Sequence, residues 1–265
     1  MAAPFDHIAS AYDSVFTQSA IGQLQRKQVW RYLEEITPQL SGLEILELNC
    51  GTGEDAVLFS EKGFNIVATD VSEEMLKVTQ QKAHQFSMQS KISSHYLDLD
   101  SFDETLFDKK FDLVFSNFGG LNCINPESFK KLLQKLPLIL SPKGRFIAVV
   151  MPKFCLWESI YFLTRFQFKN IFRRWTSTEV VADLHGTAVK TWYFKPSQIK
   201  MWSSENFKVI SRKPVGFALP PSYLENFFSS RKRLLFGLNV MEKKVSGFSF
   251  LSGMADHFII DLRLR

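Results

Sequence analysis

The sequence predicts an α/β protein. Its sheet is open, doubly wound and mostly parallel, with an antiparallel last strand and a helical, aromatic cap inserted after the fifth strand. Three observations carry this. From Leu43 to Met151 short apolar runs alternate with amphipathic runs of helical length, the pattern of successive βαβ units. The first apolar run empties into a glycine-containing turn, Asn49-Cys50-Gly51-Thr52-Gly53. The final segment, Met254–Arg265, alternates apolar and polar residues toward its end, as a half-buried strand would, and reads as the last, antiparallel strand.

Each element has its own local reason. Leu43–Leu48 ("LEILEL") is short, apolar and bounded by turn residues, so it reads as a buried strand. Thr52–Gly63 has helical spacing and ends on a glycine C-cap. Phe64–Asp70 is the second strand. Ser72–Phe86 opens with a Ser N-cap and an acidic first turn, which complements the helix dipole. Ile92–Asp100 reads as a weaker third strand and Phe111–Gly120 as a strong fourth. Pro126–Leu140 begins with proline at the first helical position and keeps an apolar stripe. Ser141–Gly144 ("SPKG") is a turn, and Arg145–Met151 a fifth strand. Right-handed crossovers then gather the C-terminal strand ends on one edge, where ligands bind. Around this core, residues 1–42 read as two helices forming a lid, and 152–195 as the cap insertion. Residues 196–265 complete the sheet, with a less regular insertion at 216–250.

Composition narrows the function classes. With 265 residues, 45 % hydrophobic and 22 % charged, the chain can bury a large core. A net charge of +5 permits anionic partners, but no run of Lys and Arg marks a nucleic-acid tail, so no nucleic acid is expected. Three widely spaced cysteines, Cys50, Cys123 and Cys155, make neither a zinc pattern nor a disulfide framework. No metal is expected, and a reducing cytoplasm is the simplest location. Neither a secretory signal nor a transmembrane stretch is expected.

The glycine turn is informative through its neighbours. A dinucleotide site places a pyrophosphate on a helix N-terminus behind three glycines. Here Gly51 and Gly53 are in place, Ala56 stands at the third position, and Glu47 lies four residues before Gly51. A carboxylate there repels a pyrophosphate and suits a cationic group. Asp70, closing the second strand, fits the ribose role, and Asp98 closes the third on the same edge. Three acids facing one crevice point to a ligand with a positive charge, a ribose and an adenine but no phosphate.

At these residues the run "ILELNCGTGEDAVLFSEKGFNIVATDVSEEML" resembles the signature region of class I S-adenosylmethionine-dependent methyltransferases. The likeness in order extends over roughly residues 43–151, and "FDHIASAYDSVF" (Phe5–Phe16) resembles the N-terminal segment of the small-molecule branch. The resemblance implies a Rossmann-like fold. It departs from the acidic-x-Gly-x-Gly-x-Gly loop at Asn49, the non-glycine residue type best able to take φ > 0. It also implies roles. Glu47 and Gly51 would hold the methionine part of S-adenosyl-L-methionine, with Asn49 and Gly53 also binding the cofactor, and Asp70 would hold the ribose hydroxyls. Val71 and Met75 would pack on the adenine, with Asp98 and the Leu99 backbone at its amino group. Asn117 and Phe118 would lie near the sulfonium and Tyr12 would close over it. The product would be S-adenosyl-L-homocysteine.

Methyl transfer from a sulfonium is an in-line displacement needing a base only when the acceptor must lose a proton. No universal catalytic residue is therefore expected. In the cap, Lys153–Trp175 is rich in Trp, Tyr and Phe interleaved with Arg165, Lys169, Arg173 and Arg174, and His185–Phe194 reads as extended segments returning to the sheet. Such a cap suits a small apolar or aromatic acceptor, with His185 and Tyr193 as candidate bases. A weaker expectation is that the basic aromatic helix lies on an anionic membrane. The competing function classes are a cofactor-binding regulatory or scaffold protein without turnover, and a nicotinamide dehydrogenase, which Glu47 disfavours.

Overall fold

The apolar run before the glycine turn forms β1, Glu44–Leu48, at the heart of the sheet. A computed structural model describes residues 5–37, 42–184 and 186–265. Its other elements, in order, begin with a short helix α1 (Ala9–Tyr12), flanked by 3-10 and π turns, and a long helix α2 (Ala20–Ile36). Then follow α3 (Glu54–Glu61), β2 (Asn65–Asp70), α4 (Glu73–Gln85), β3 (Ile92–Tyr96), β4 (Phe111–Ser116), α5 (Pro126–Lys135) and β5 (Leu140–Val150). The cap region contributes α6 (Leu156–Thr164) and a hairpin of β6 (Val180–Leu184) and β7 (Thr187–Thr191). The chain finishes with α7 (Pro196–Ser203), β8 (Phe207–Val215), α8 (Glu225–Phe228), α9 (Lys232–Val245) and β9 (His257–Leu264).

Among the described residues the main sheet has seven strands in the order β3-β2-β1-β4-β5-β9-β8. The first five are mutually parallel. β9 is antiparallel to both neighbours and sits between β5 and β8 rather than at the sheet's edge. The sheet is covered on both faces. Leu46 and Leu48 pack with Phe129, Leu132 and Leu133 of α5 on one side. Ile45, Ile66 and Phe115 pack with Val29 and Leu33 of α2 and Ala56 and Phe59 of α3 on the other. Period-two alternation therefore turns Glu47 toward the α2–α3 face.

Several sequence expectations need correction. The third strand stops at Tyr96, because Asp98 caps the 3-10 turn Leu99–Ser101 by accepting from the Asp100 N–H at 2.9 Å. The fourth stops at Ser116, where Asn117, Phe118 (φ 38°) and Gly119 (φ 78°) turn the chain. Ser141–Gly144 lies inside β5 as a bulge: pairing jumps from Phe111↔Leu140 to Leu113↔Arg145, and Lys143 takes φ 65°. The N-terminal segment holds the short α1 and the long α2. Residues 216–250, expected to be less regular, contain the 14-residue α9. Only Leu235 and Glu242 of it are buried and no side chain caps it, so it lacks the start signal that makes a helix readable.

Candidate functional site

The β1–α3 turn is built by backbone geometry that its residue types permit. Asn49 has φ 54°, Gly51 φ 54° and Gly53 φ 74°, all in the left-handed region that Gly and Asn tolerate. The two glycines serve different ends. A Cβ on Gly53 would come within 2.6 Å of Thr79 Cγ2, so only glycine lets the loop pack on α4. A Cβ on Gly51 would meet nothing within 4 Å, so that backbone borders open space. Asp70, at the end of β2, ties the turn: its Oδ2 accepts from the Gly51 N–H and its Oδ1 from the Ser72 N–H, both at 2.9 Å. Burial raises its pKa against these donors. Asn49 packs on Gly120, where a Cβ would lie 2.7 Å from Asn49 Cγ. Gly120 was not among the residues singled out by sequence; its constraint comes from a segment distant in the chain.

Glu47 is 1 % exposed and its Oε2 has no hydrogen-bond partner among the described residues. Burial first, then the Asp55 and Asp70 carboxylates, push its pKa well above the usual carboxylate range, with Arg26 opposing. Asp55 is itself a hub on the N-terminal turn of α3. It accepts from Trp30 Nε1 at 2.7 Å and Asn117 Nδ2 at 2.8 Å, and is ion-paired with Arg26. The Arg26 guanidinium also sits 5.2 Å from the Phe118 ring centroid. Arg26 and Asp55 were missed in the sequence. An Arg on an amphipathic helix carries no signal until α2 is laid across the strand ends.

The segment before α2 folds over this edge. Asp6 accepts from Ser72 Oγ at 2.6 Å. Asp13 accepts from Thr52 Oγ1 at 2.6 Å and pairs with Lys82 at 2.6 Å. Tyr12, between these two clasps, has its phenol pushed up to about 12 by burial, against the pull of Arg26 and with added repulsion from Cys123 and Asp70. Tyr12, Glu47, Asn49, Gly51, Gly53 and Asp70, with Asn117 and Phe118, thus occupy one edge.

The other expected residues have these surroundings. Asp98 spends both oxygens on its own turn, on the Asp100 N–H and Ser101 Oγ. The Leu99 side chain lies in the core beneath α5. Met75 is buried and its N–H is taken by the Ser72 cap, while Val71 is half-buried beside Asp70. His185 lies outside the described residues. Tyr193 is buried in the cap, with Arg174 5.0 Å from its ring centroid, and burial raises its pKa.

A histidine that the sequence does not single out lies closer to this edge. His257, at the start of β9, packs edge-on against Phe118 with centroids 5.4 Å apart. Its Nδ1 is 3.2 Å from Asp256 Oδ2, and its Nε2 lies on the Gly119 side, 3.9 Å from where a Gly119 Cβ would be. Asp256 is 4 % exposed and held by Arg174 at 3.0 Å and Gln25 at 3.3 Å. Burial alone would raise its pKa, but His257 and Arg174 together hold it well below the usual range. Arg174 also pairs with buried Glu158 of α6. A continuous polar cluster therefore joins the cap to the β4 turn.

The matched family agrees with this geometry. Residues 45–144 match the family described as a methyltransferase domain. A demethylmenaquinone methyltransferase of Clavibacter sepedonicus is 31 % identical over 149 residues, 56 % of this chain and 56 % of that protein. A malonyl-[acyl-carrier protein] O-methyltransferase of Pectobacterium atrosepticum is 29 % identical over 144 residues, 54 % of this chain and 50 % of that one. The chain thus spans about half the length of these curated relatives. In fold it is similar to the CcbJ methyltransferase of Streptomyces caelestis, with TM-score 0.64, 13 % identity, and coverage of 99 % of this chain and 98 % of that one. It is also similar to the magnesium protoporphyrin IX methyltransferase of Synechocystis PCC 6803 with bound S-adenosylhomocysteine, with TM-score 0.57, 14 % identity and coverage of 92 % and 84 %. Residues 45–144 are thus similar to a methyltransferase domain, and the seven-stranded sheet that carries them has the Rossmann-like methyltransferase fold.

Proposed function

We propose that this protein transfers a methyl group from S-adenosyl-L-methionine to a small apolar or aromatic acceptor. The observation that carries the cofactor assignment is Glu47: a buried carboxylate with an unpaired oxygen at a glycine turn. Such a group is costly until a cationic hydrogen-bond donor reaches it. The residues present fit an amino-acid ligand, because Arg26, ion-paired with Asp55, has the charge opposite to Glu47 and opposes the rise in its pKa, and Gly51 borders open space. Glu47 and Arg26 would hold the ammonium and carboxylate ends, and Asp70 would accept from the ribose while keeping the turn closed. When bound, the cofactor supplies an electrophilic methyl on a sulfonium.

The chain's own residues then orient the acceptor and exclude water. Tyr12 and the clasped N-terminal segment cover the edge. His257, its Nδ1 3.2 Å from Asp256 Oδ2, would take a proton at Nε2 from a hydroxyl acceptor. The acceptor class rests on the cap. There Trp192, Tyr193, Trp202 and Lys153 line a cavity of about 250 Å³, and aromatic walls favour flat apolar ligands. The acceptor named for the Clavibacter sepedonicus relative, demethylmenaquinone, is of that class.

The deciding measurement is S-adenosylhomocysteine release across a panel of quinol, phenol and carboxylate acceptors, paired with calorimetry of cofactor binding. Turnover on at least one acceptor is expected. His257→Ala should lower it about a hundredfold, as for loss of a general base, with cofactor affinity within twofold. Cofactor binding without turnover on any acceptor would leave a ligand-binding protein instead.

A further inference from the structure

Beyond the crevice, the cap carries a surface whose composition is unusual for a protein exterior. After α6 the chain runs through Phe166, Phe168, Phe172 and Trp175, which are 81 %, 61 %, 57 % and 60 % exposed. Tyr161 of α6 meets Tyr223 at 5.3 Å between centroids, and Trp157 meets Phe228 at 5.8 Å. The 223–228 segment, with Phe227 51 % exposed, therefore borders the same face. Exposed aromatics in such number mark a contact surface.

The charges around them have one sign. Arg165 and Lys169 are exposed among the first group, and Arg231, Lys232 and Arg233 follow the second. Residues 159–178 contain no acid. In residues 226–250 the one acid is Glu242, which is buried and accepts from the Gly216, Ala218 and Leu219 N–H groups. Glu158, just before the first group, is buried and neutralised by Arg173 and Arg174. Glu225 of the second segment is half-buried and accepts from the Ala20 and Ile21 N–H groups, so no exposed acidic side chain lies within residues 159–178 or 223–250 to balance the exposed cations.

One residue shows that the surface is not shaped by folding alone. Phe166 terminates α6 with φ 57°, and its N–H donates to Leu163 O while the Gln167 N–H donates to Phe162 O. Glycine is the ordinary residue for that left-handed position, and a phenylalanine there is strained. Its ring buries little in return.

We propose that this aromatic, basic face docks the protein on the surface of an anionic lipid bilayer. The rings enter the headgroup–acyl boundary and the Arg and Lys side chains pair with lipid phosphates, as in interfacial attachment. Among the described residues no helix is long and apolar enough to cross a membrane, so the attachment is peripheral. The proposal stands independently of methyl transfer.

The test is flotation of the full chain with vesicles of phosphatidylcholine alone and of phosphatidylcholine containing about one-third phosphatidylglycerol, at low and physiological salt. Binding is expected only to the anionic vesicles and should weaken with salt. Arg165→Glu with Lys169→Glu should lower partitioning by more than tenfold, taking about fivefold for each cation lost. Phe166→Gly is the key variant. It should leave the melting temperature unchanged or raised, because it relieves the backbone strain, yet lower partitioning severalfold. No binding to anionic vesicles at low salt overturns the proposal, as does binding indifferent to these variants. So does a stable dimer in sedimentation velocity that Phe166→Gly breaks, which would make a second copy the occupant.

Discussion

Glu47 lies on the α2–α3 face of β1, where a strand alternating for burial would place an apolar side chain. Its pKa is raised mainly by burial. The native state therefore holds its proton to higher pH than the unfolded chain does, so ligand-free stability falls as pH rises from the ordinary carboxylate range through the raised value. Glu47→Gln should flatten that slope and raise the ligand-free melting temperature at neutral pH, by about 2–4 °C for each kcal/mol gained in a chain of this size. The same change should weaken S-adenosyl-L-methionine binding about 10- to 100-fold, since a charged hydrogen bond is lost. Thermal scans against pH, with and without ligand, separate the two effects. The glycines divide differently. Gly53→Ala meets Thr79 and a positive φ together, and should cost about 2–4 kcal/mol of stability. Gly51→Ala meets strain but no neighbour. It should cost only about 1 kcal/mol while lowering ligand affinity more than Gly53→Ala does. If the two variants lost stability equally in urea titrations, the assignment of Gly51 to the open side would be wrong.

Between elements, the Glu158–Arg174–Asp256–His257 cluster joins α6 to the start of β9. Burial works against both carboxylates, but Arg174 and its neighbours lower their pKa values. The stability they confer is therefore complete above the unfolded carboxylate pKa and is lost as pH falls through the depressed native values. Asp256→Asn should remove part of that acid-side slope. It leaves Arg174, 5 % exposed, short of a counter-charge, and should destabilise by about 3 kcal/mol at neutral pH, as breaking a buried pair does. Equilibrium denaturation from acid to neutral pH checks both the size and the slope. The cluster was invisible in sequence because its members come from the cap and from the residue before β9. The helices that sequence did place were those with local signals. α4 has its Ser72 cap and α5 its Asn125 cap followed by proline, whereas α9 has no capping side chain.

Across the whole molecule, the N-terminal segment crosses the ligand edge and is held by Asp6–Ser72 and by Asp13 with Thr52 and Lys82. Asp13→Asn should weaken the second clasp by about 1 kcal/mol, the size of a partly exposed ion pair. Amide exchange in residues 5–17 should then quicken and ligand dissociation accelerate about fivefold. Unchanged exchange there would show that the clasp does not hold the segment. The sequence by itself determined the five parallel strands, their helices, and the loop whose Asn49 needed φ > 0, because apolar period, caps and glycines act within a few residues. It also singled out Glu47 and Asp70, since a carboxylate at a strand end is informative wherever the helices pack. Only the tertiary structure placed β9 between β5 and β8, carried Arg26 to Asp55 and set His257 against Phe118. Only it turned Asp98 back to its own turn. Those outcomes depend on packing between segments far apart in the chain, and such contacts leave no periodicity or spacing along the chain to read.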